Sequence, residues 1–393
     1  MTGSLILVAN PGSASRKYAL YDGTKELARV HCEWLYGRVV CTVEKGGEQH
    51  QAPVELLDLT EAGGQVVGVL QSHGLLPEGK TIGRVGLRVV APSSYFLEDH
   101  IVDDHFIAQL RAIRKRAPIH IDATLAELDM LRRQFPHATV VGVSDSAFHI
   151  TKPDYAWNYG ISLEDADRYE IKRFGYHGLS VASVVQELHK EHKLPPKVAV
   201  VHLGSGASVT AVHGGRSMDN TMGYSPLEGV VMSTRSGSID PTAVSALNDV
   251  FRWNATQTEN YLNNHSGLLG LGGSSDIREL LRREADGDHR SGLALKTYIY
   301  SVQKAVGQMA SALGGLDALV FTGTVSERSA PIRDRVIDRL HYLDFILERH
   351  ANEGITPGEP LALISRVARS KPIYVVPTRE SAEIARHVYR LHA

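Results

Sequence analysis

The chain has 393 residues, 43% hydrophobic and 22% charged, which is the balance of a globular protein with room for two domains. Its formal net charge is −2 with acids and bases interspersed, so no basic arm for nucleic acid and no polybasic membrane anchor stands out. The start MTGSLILVAN lacks the basic flank of a secretory signal, and no run approaches the roughly 20 apolar residues of a membrane span. The expected setting is the cytoplasm. Cys32 and Cys41 sit in neither a C-x-x-C pair nor a metal-type spacing, so both are expected to be reduced structural thiols.

In chain order, SLILVAN reads as a short buried strand bounded by turn residues. KYALYDG and RVHCEWLYGRVVCTVEKGGEQH follow as antiparallel strands, with a hairpin at Lys45-Gly46-Gly47. IGRVGLRVVAP is a strand stopped by Pro92, and 104–116 carries Phe106, Leu110 and Ile113 on one helical face. DATLAELDMLRRQF continues helically with Asp122 as its expected N-cap, and ATVVGVSD is a strand closing on Asp145. The polar, irregular run TKPDYAWNYGISLEDADRYEIKRFG marks a boundary near residue 150. Ser180 then reads as the cap of a helix, KVAVVHLG as a strand, and SVTAVHGGRSMDN as a hairpin turning at Gly214-Gly215. Helical spacing runs from Leu295 to Leu313 and stops at Gly314-Gly315. DALVFTG is a strand, 331–350 a long helix, and PIYVVPT the last strand before a terminal helix.

The two halves repeat one device: ANPGSASRKYALYDG and HLGSGASVTAVHGG each place a Gly-Ser turn between two strands. Such turns offer unobstructed backbone N–H groups and hydroxyls to phosphate oxygens. Neither a Walker-type G-x-x-x-x-G-K-[ST] nor a G-x-G-x-x-G after the first strand is present. Mixed hairpins and helix crossovers in each half give an α/β class with a twofold internal repeat. Arg88, Asp145, His177, Arg235 and Glu380 fall at or near the ends of other elements. Singly, each suits a structural ion pair; together they match the cations and carboxylates that phosphoryl transfer needs.

Through ANPGSAS, GLRVVAP, RAPIH, SDSAFHITKP, RFGYHGLS, HLGSGASVTAV, TMGYSPLEGVVMSTRSGSIDP, SGLLGLGGSSDIREL, DALVFTG and VVPTRESAEIA, the chain resembles the acetokinase family. That family is a branch of the acetate and sugar kinase/Hsc70/actin superfamily. The resemblance implies two duplicated ribonuclease-H-like (actin-like ATPase) domains flanking a cleft, 1–148 plus 380–393 and 149–379. It implies reversible phosphoryl transfer between ATP and acetate with Mg²⁺ (or Mn²⁺), in a homodimer packed through the second domain.

By position, the resemblance assigns Arg88, Asp145, His177, Arg235 and His120 to catalysis, and Asn10 and Glu380 to the metal. Val90, Ile119, Tyr176 and Pro226 would line the acyl pocket. Ser13, Ser15, Lys17, His202, Gly204, Ser205 and Gly206 would meet the nucleotide phosphates, and Asp276, Ile277, Arg278, Thr324 and Arg328 the rest of the nucleotide. Several positions depart from the family pattern. Leu87 precedes Arg88 and Ala91-Pro92 follows the strand; Ile121 replaces an Asn; Ser205 replaces an Asn; Tyr176 replaces the more usual Phe. Thr324-Val325-Ser326-Glu327-Arg328 stands where the family has Gly-Ile-Gly-Glu-Asn. The altered loop leaves pyrophosphate or another nucleotide open as donor. One methylene in the acyl pocket is worth only roughly 1–3 kcal/mol, which leaves propionate or butyrate open as acceptor. The altered loop, with the changed segment after Arg88, leaves a degenerate nucleotide-binding regulator as the non-enzyme reading.

Overall fold

The computed structural model describes residues 4–12, 15–35, 38–52, 59–76, 80–356, 358–366 and 368–391. The chain divides into two compact units, Met1–Ala147 with Arg379–Ala393, and Phe148–Thr378.

The first unit runs β1 (Leu5–Pro11), β2 (Ser15–Asp22), β3 (Lys25–Leu35), β4 (Arg38–Lys45), β5 (Glu48–Ala52), α1 (Ala62–Ser72), β6 (Ile82–Val89), β7 (His100–Ile101), α2 (Asp104–Ala112), α3 (Pro118–Gln134) and β8 (Thr139–Ser144). The second unit opens with α4 (Asp154–Trp157), α5 (Leu163–Arg168), α6 (Gly178–Lys190), β9 (Lys197–Leu203), β10 (Ala207–His213) and β11 (Arg216–Asn220). It continues through α7 (Pro241–Phe251), α8 (Ala255–Asn264), α9 (Gly267–Gly272), α10 (Ile277–Ala285) and α11 (His289–Leu313). It closes with β12 (Ala318–Thr322), α12 (Thr324–Arg328), α13 (Ala330–Ile337), α14 (Arg349–Glu353), β13 (Ala362–Leu363) and β14 (Ile373–Val375). The chain then returns to the first unit as α15 (Glu380–Arg390).

The first sheet has the order β5-β4-β3-β2-β1-β6-β8-β7 and the second β11-β10-β9-β12-β14-β13. Each contains three antiparallel strands followed by two parallel ones: β3-β2-β1-β6-β8 in one, β11-β10-β9-β12-β14 in the other. This is the ribonuclease-H-like arrangement, built twice. The central strands β1 (LILVANP) and β9 (KVAVVHL) are apolar on both faces and buried nearly throughout, as strands covered on two sides must be. In the first unit α15 covers one face at Gly86: a Cβ there would stand 2.6 Å from Cγ2 of Ile384 and 2.7 Å from Cγ2 of Val388, so the helix approaches only because that residue is glycine. Among the described residues no helix is long and apolar enough to cross a membrane.

Four local expectations are corrected. Helix α3 begins at Pro118, which suits the first helical position, and Asp122 lies inside it, its carboxylate taking Arg114 Nε at 2.5 Å and Nη2 at 3.1 Å. Ser180 is no cap: α6 starts at Gly178, and the Ser180 hydroxyl is buried. The long helix over 331–350 breaks after Ile337 into a single 3₁₀ turn, a left-handed Asp344 (φ 67°) and the short α14. The break lets Leu340, Phe345 and Leu347 all point inward, a spacing no single helix face supplies. Finally, Cys32 and Cys41 form a disulfide. They are direct partners in the β3–β4 ladder with Cα atoms 4.0 Å apart, a proximity set by strand register that motif spacing does not reveal.

Candidate active site

In the first unit the site grows from the ends of two adjacent parallel strands. Arg88 sits near the end of β6, and Asp145 follows β8 with its backbone N–H bonded to the Val89 carbonyl. Arg88 Nη2 meets Asp145 Oδ2 at 2.8 Å, with the aspartate side chain fully buried. Arg88 Nη1 donates to Asn10 Oδ1 at 3.3 Å, and Asn10 Nδ2 donates to Glu380 Oε2 at 2.7 Å. Glu380, Asn10, Arg88 and Asp145 are thus one connected polar row. Burial opposes the guanidinium charge, but the Asp145 and Glu380 carboxylates outweigh it and hold the Arg88 pKa above its ordinary value.

The β1–β2 turn is pinned from below. Gly12 N–H bonds the Ser15 carbonyl at 2.9 Å, and the Gly12 carbonyl accepts from Arg16 Nη1. Arg16 in turn lies 3.9 Å from Glu127, which also accepts from the Tyr18 hydroxyl at 2.8 Å. Ser15 is half-buried, and Lys17 is exposed, opposite Asn10 in the ladder. Ser13 and the side chain of Ile119 lie outside the described residues. Val90 is half-buried just past β6, and His120 is half-buried in the first turn of α3.

In the second unit His177 precedes α6 with φ 60°, a left-handed conformation that costs an ordinary residue energy and gathers at functional sites. Its Nδ1 bonds the buried Ser208 hydroxyl at 2.9 Å, which fixes the ring. Its Nε2 points at the glycine turn: a Cβ on Gly206 would lie 3.1 Å from His177 Nε2 and 3.5 Å from Arg235 Nη1. Imidazole, guanidinium and a bare backbone therefore converge on one spot. Beneath it the His202 ring stacks on His177 with centroids 4.1 Å apart, and its Nδ1 meets the Ser180 hydroxyl at 2.8 Å, itself bonded by Thr378 at 2.9 Å. A Cβ on Gly323 would lie 3.2 Å from His202 Nε2, and one on Gly204 3.5 Å from it, so this nitrogen faces both turns. Ser205 is exposed at the tip.

The altered loop forms the short helix α12. Thr324 and Arg328 are exposed on it, while Ser326 is buried with its hydroxyl bonded to the Val201 carbonyl at 3.3 Å. Glu327 Oε1 accepts from both Gly323 N and Thr378 N at 3.0 Å. Arg333, 1% exposed, closes the other end. Its Nη1 donates to the Ser326 and Glu327 carbonyls at 2.6 and 3.1 Å, its Nη2 to the Asn352 carbonyl at 2.6 Å, and its Nε to Asn352 Oδ1 at 2.7 Å. Burial lowers the Arg333 pKa to about 10. Asp276 caps α10 and pairs with Arg278, which is the main reason its carboxyl pKa is lowered; Ile277 between them is buried. Tyr176 is buried, with its hydroxyl on the Tyr224 carbonyl at 2.7 Å, and the Pro226 carbonyl lies 3.5 Å from Arg235 Nη1.

Ser208, Ser180, Glu327 and Arg333 were not singled out as functional from the sequence. All are ordinary polar residues whose importance lies in what folds against them. Two of them carry a signal in the sequence: Ser180, three residues after His177, and Glu327, inside the 324–328 loop.

A duplicated ribonuclease-H-like fold, with a glycine-turn hairpin and a cation-rich polar cluster in each unit, defines a phosphotransferase of the actin-like ATPase class. Within it the chain belongs to the acetokinase family, whose sequence model matches residues 5–386. It is 36% identical over 399 residues to the acetate kinase of Streptomyces coelicolor, covering 100% of this chain and 98% of that protein. It is similar in structure to a propionate kinase from Francisella tularensis (TM-score 0.88, 32% identity, 98% of this chain and 99% of that one). It is also similar to Porphyromonas gingivalis acetate kinase (TM-score 0.85, 30% identity, 99% of this chain and 100% of that one). It is therefore a kinase of the family that transfers phosphate to a carboxylate.

Proposed function

We propose that this protein catalyses reversible phosphoryl transfer between ATP and acetate, giving ADP and acetyl phosphate. The observation that carries the reading is the convergence of His177 Nε2, Arg235 Nη1 and the Gly206 backbone, supported by the Arg88–Asp145 pair. A carboxylate oxygen of acetate attacks the γ-phosphorus; the new O–P bond forms as the bond from phosphorus to the β–γ bridging oxygen breaks, and ADP leaves. The acceptor is already ionised, so no general base is required. Arg88 and Arg235 balance the charge of the carboxylate and the equatorial oxygens, and His177 holds its Nε2 toward them in a ring fixed by Ser208.

Asn10 and Glu380 supply hard oxygen donors, and no group of three or more His, Cys, Asp or Glu side chains among the described residues forms a metal cage. That donor set fits Mg²⁺, which keeps most of its waters and is held jointly by a carboxylate and nucleotide phosphates. When bound, the ion would neutralise phosphate charge. The family resemblance assigns Tyr176, Pro226 and Val90 to the acyl group. The reading takes 1–148 plus 380–393 and 149–379 as its domains, the cytoplasm as the site of action, and α7 of the second domain as the surface through which two copies pair. That helix carries Val244, Leu247, Val250 and Phe251, yet has no buried residue, and Val250 is 75% exposed.

The test is trapping of acetyl phosphate as hydroxamate, with acetate or propionate as acceptor and ATP or pyrophosphate as donor. Product from acetate and ATP is expected. A second acceptor reading, propionate, is favoured by the Francisella structure, and a propionate kcat/KM above that for acetate would establish it. Product with pyrophosphate alone would overturn the ATP assignment, and none with any donor would favour a regulatory protein.

A further inference from the structure

We infer that Tyr176, Tyr159, Glu228 and Arg173 form a pin that fixes the Pro226 wall of the acyl pocket and thereby restricts the enzyme to the shortest acid; this rests on the acyl-kinase reading above. Both backbone groups of Tyr224 are held by phenol hydroxyls. Its N–H donates to the Tyr159 oxygen at 2.8 Å, and its carbonyl accepts from the Tyr176 hydroxyl at 2.7 Å. The Tyr159 hydroxyl donates to one Glu228 oxygen, and Arg173 Nη1 donates to the other. Arg173 Nη2 adds a bond to the Asn220 carbonyl at 3.2 Å. Burial and the Glu228 carboxylate raise the Tyr159 pKa, which keeps its proton available for donation.

The cluster closes tightly around the loop. A Cβ on Gly223 would lie 1.8 Å from Glu228 Oε2 and 2.3 Å from the Tyr159 oxygen, so the approach requires glycine there. Beyond Tyr224, Ser225 Oγ accepts from Leu227 N at 3.2 Å, and Pro226 has a fixed φ. The Pro226 carbonyl lies 3.5 Å from Arg235 Nη1. The loop is thus held at Tyr224 by the two tyrosines and at Pro226 by Arg235. An extra methylene in the substrate would have to push this wall back, breaking the bond from Tyr176 to a buried carbonyl. Phenylalanine at 176 has no such bond to break. The Tyr176 hydroxyl therefore acts through the loop, as a positioning group.

The experiment measures kcat/KM for acetate and propionate with wild type, Tyr176→Phe and Tyr159→Phe, under saturating ATP and Mg²⁺. Their ratio within one preparation is independent of the fraction folded, so general destabilisation cannot imitate the effect. The propionate-to-acetate ratio should rise about fivefold in Tyr176→Phe, the equivalent of one neutral hydrogen bond, and should move the same way in Tyr159→Phe. An active wild type with an unchanged ratio in both variants overturns the pin and leaves the kinase reading standing. A wild type that phosphorylates neither acid overturns both.

Discussion

Helix α15 starts at Glu380 and is fastened near its far end by His387, which offers a pH-dependent test of how that residue is positioned. His387 Nδ1 meets Asp99 Oδ2 at 2.5 Å, and Nε2 meets Glu383 Oε1 at 3.1 Å. Asp99 Oδ1 accepts from the Ser144 N–H at 2.8 Å, one residue before Asp145. Burial disfavours the imidazolium, but Asp99 and Glu383 outweigh it and raise the pKa from 6.5 to about 9. A group whose pKa is raised by folding stabilises fully below its unfolded value and loses that contribution as pH climbs through the folded one. From these two values, at roughly 1.4 kcal/mol per pH unit, the contribution is about 2 kcal/mol at pH 7.5 and less than about 0.5 kcal/mol at pH 9.5. Chemical denaturation of wild type and His387→Gln across this range should show the stability gap closing as pH rises. A gap that stays constant from pH 7 to 9.5 would refute the charged clamp.

Arg235→Ala should lower kcat by about 10²–10³ with little change in thermal stability, because the side chain ends at the site. Arg88→Ala should lose both, since it takes the guanidinium away from the fully buried Asp145 carboxylate, and breaking a buried pair costs about 3–5 kcal/mol; circular dichroism melts beside the rate assay separate the two effects. Arg333→Met removes the four hydrogen bonds that close α12 and hold Asn352, so it should raise the nucleotide KM and lower Tm together; a normal KM would uncouple this arginine from the nucleotide loop. Thiol titration of the unfolded protein should find no free thiol before reduction and two after, since Cys32 and Cys41 are joined.

What the sequence made legible was local. Apolar strand runs and glycine turns identified the two hairpins and put Arg88 and Asp145 at strand ends, but their pairing follows from the β6–β8 adjacency, which only the fold supplies. The Asn10–Glu380 bond spans 370 positions and has no local signature; only the family resemblance linked the two. Neither local pattern nor resemblance pointed to the bond between His177 and Ser208, joined across an α6–β9–β10 path, or to Arg333, whose buried charge finds carbonyls in place of a carboxylate. The 331–350 segment misled because its apolar residues suit a helix until Asp344 turns left-handed. The cysteine pair misled because register, not motif, decides which thiols meet.

The central claim is that a carboxylate oxygen of the acceptor attacks phosphorus. Phosphorus NMR of the acyl phosphate made from ATP and ¹⁸O-labelled acetate tests it. A resonance shifted by one bridging ¹⁸O is the predicted result; an acyl phosphate carrying no label at the bridge would contradict it.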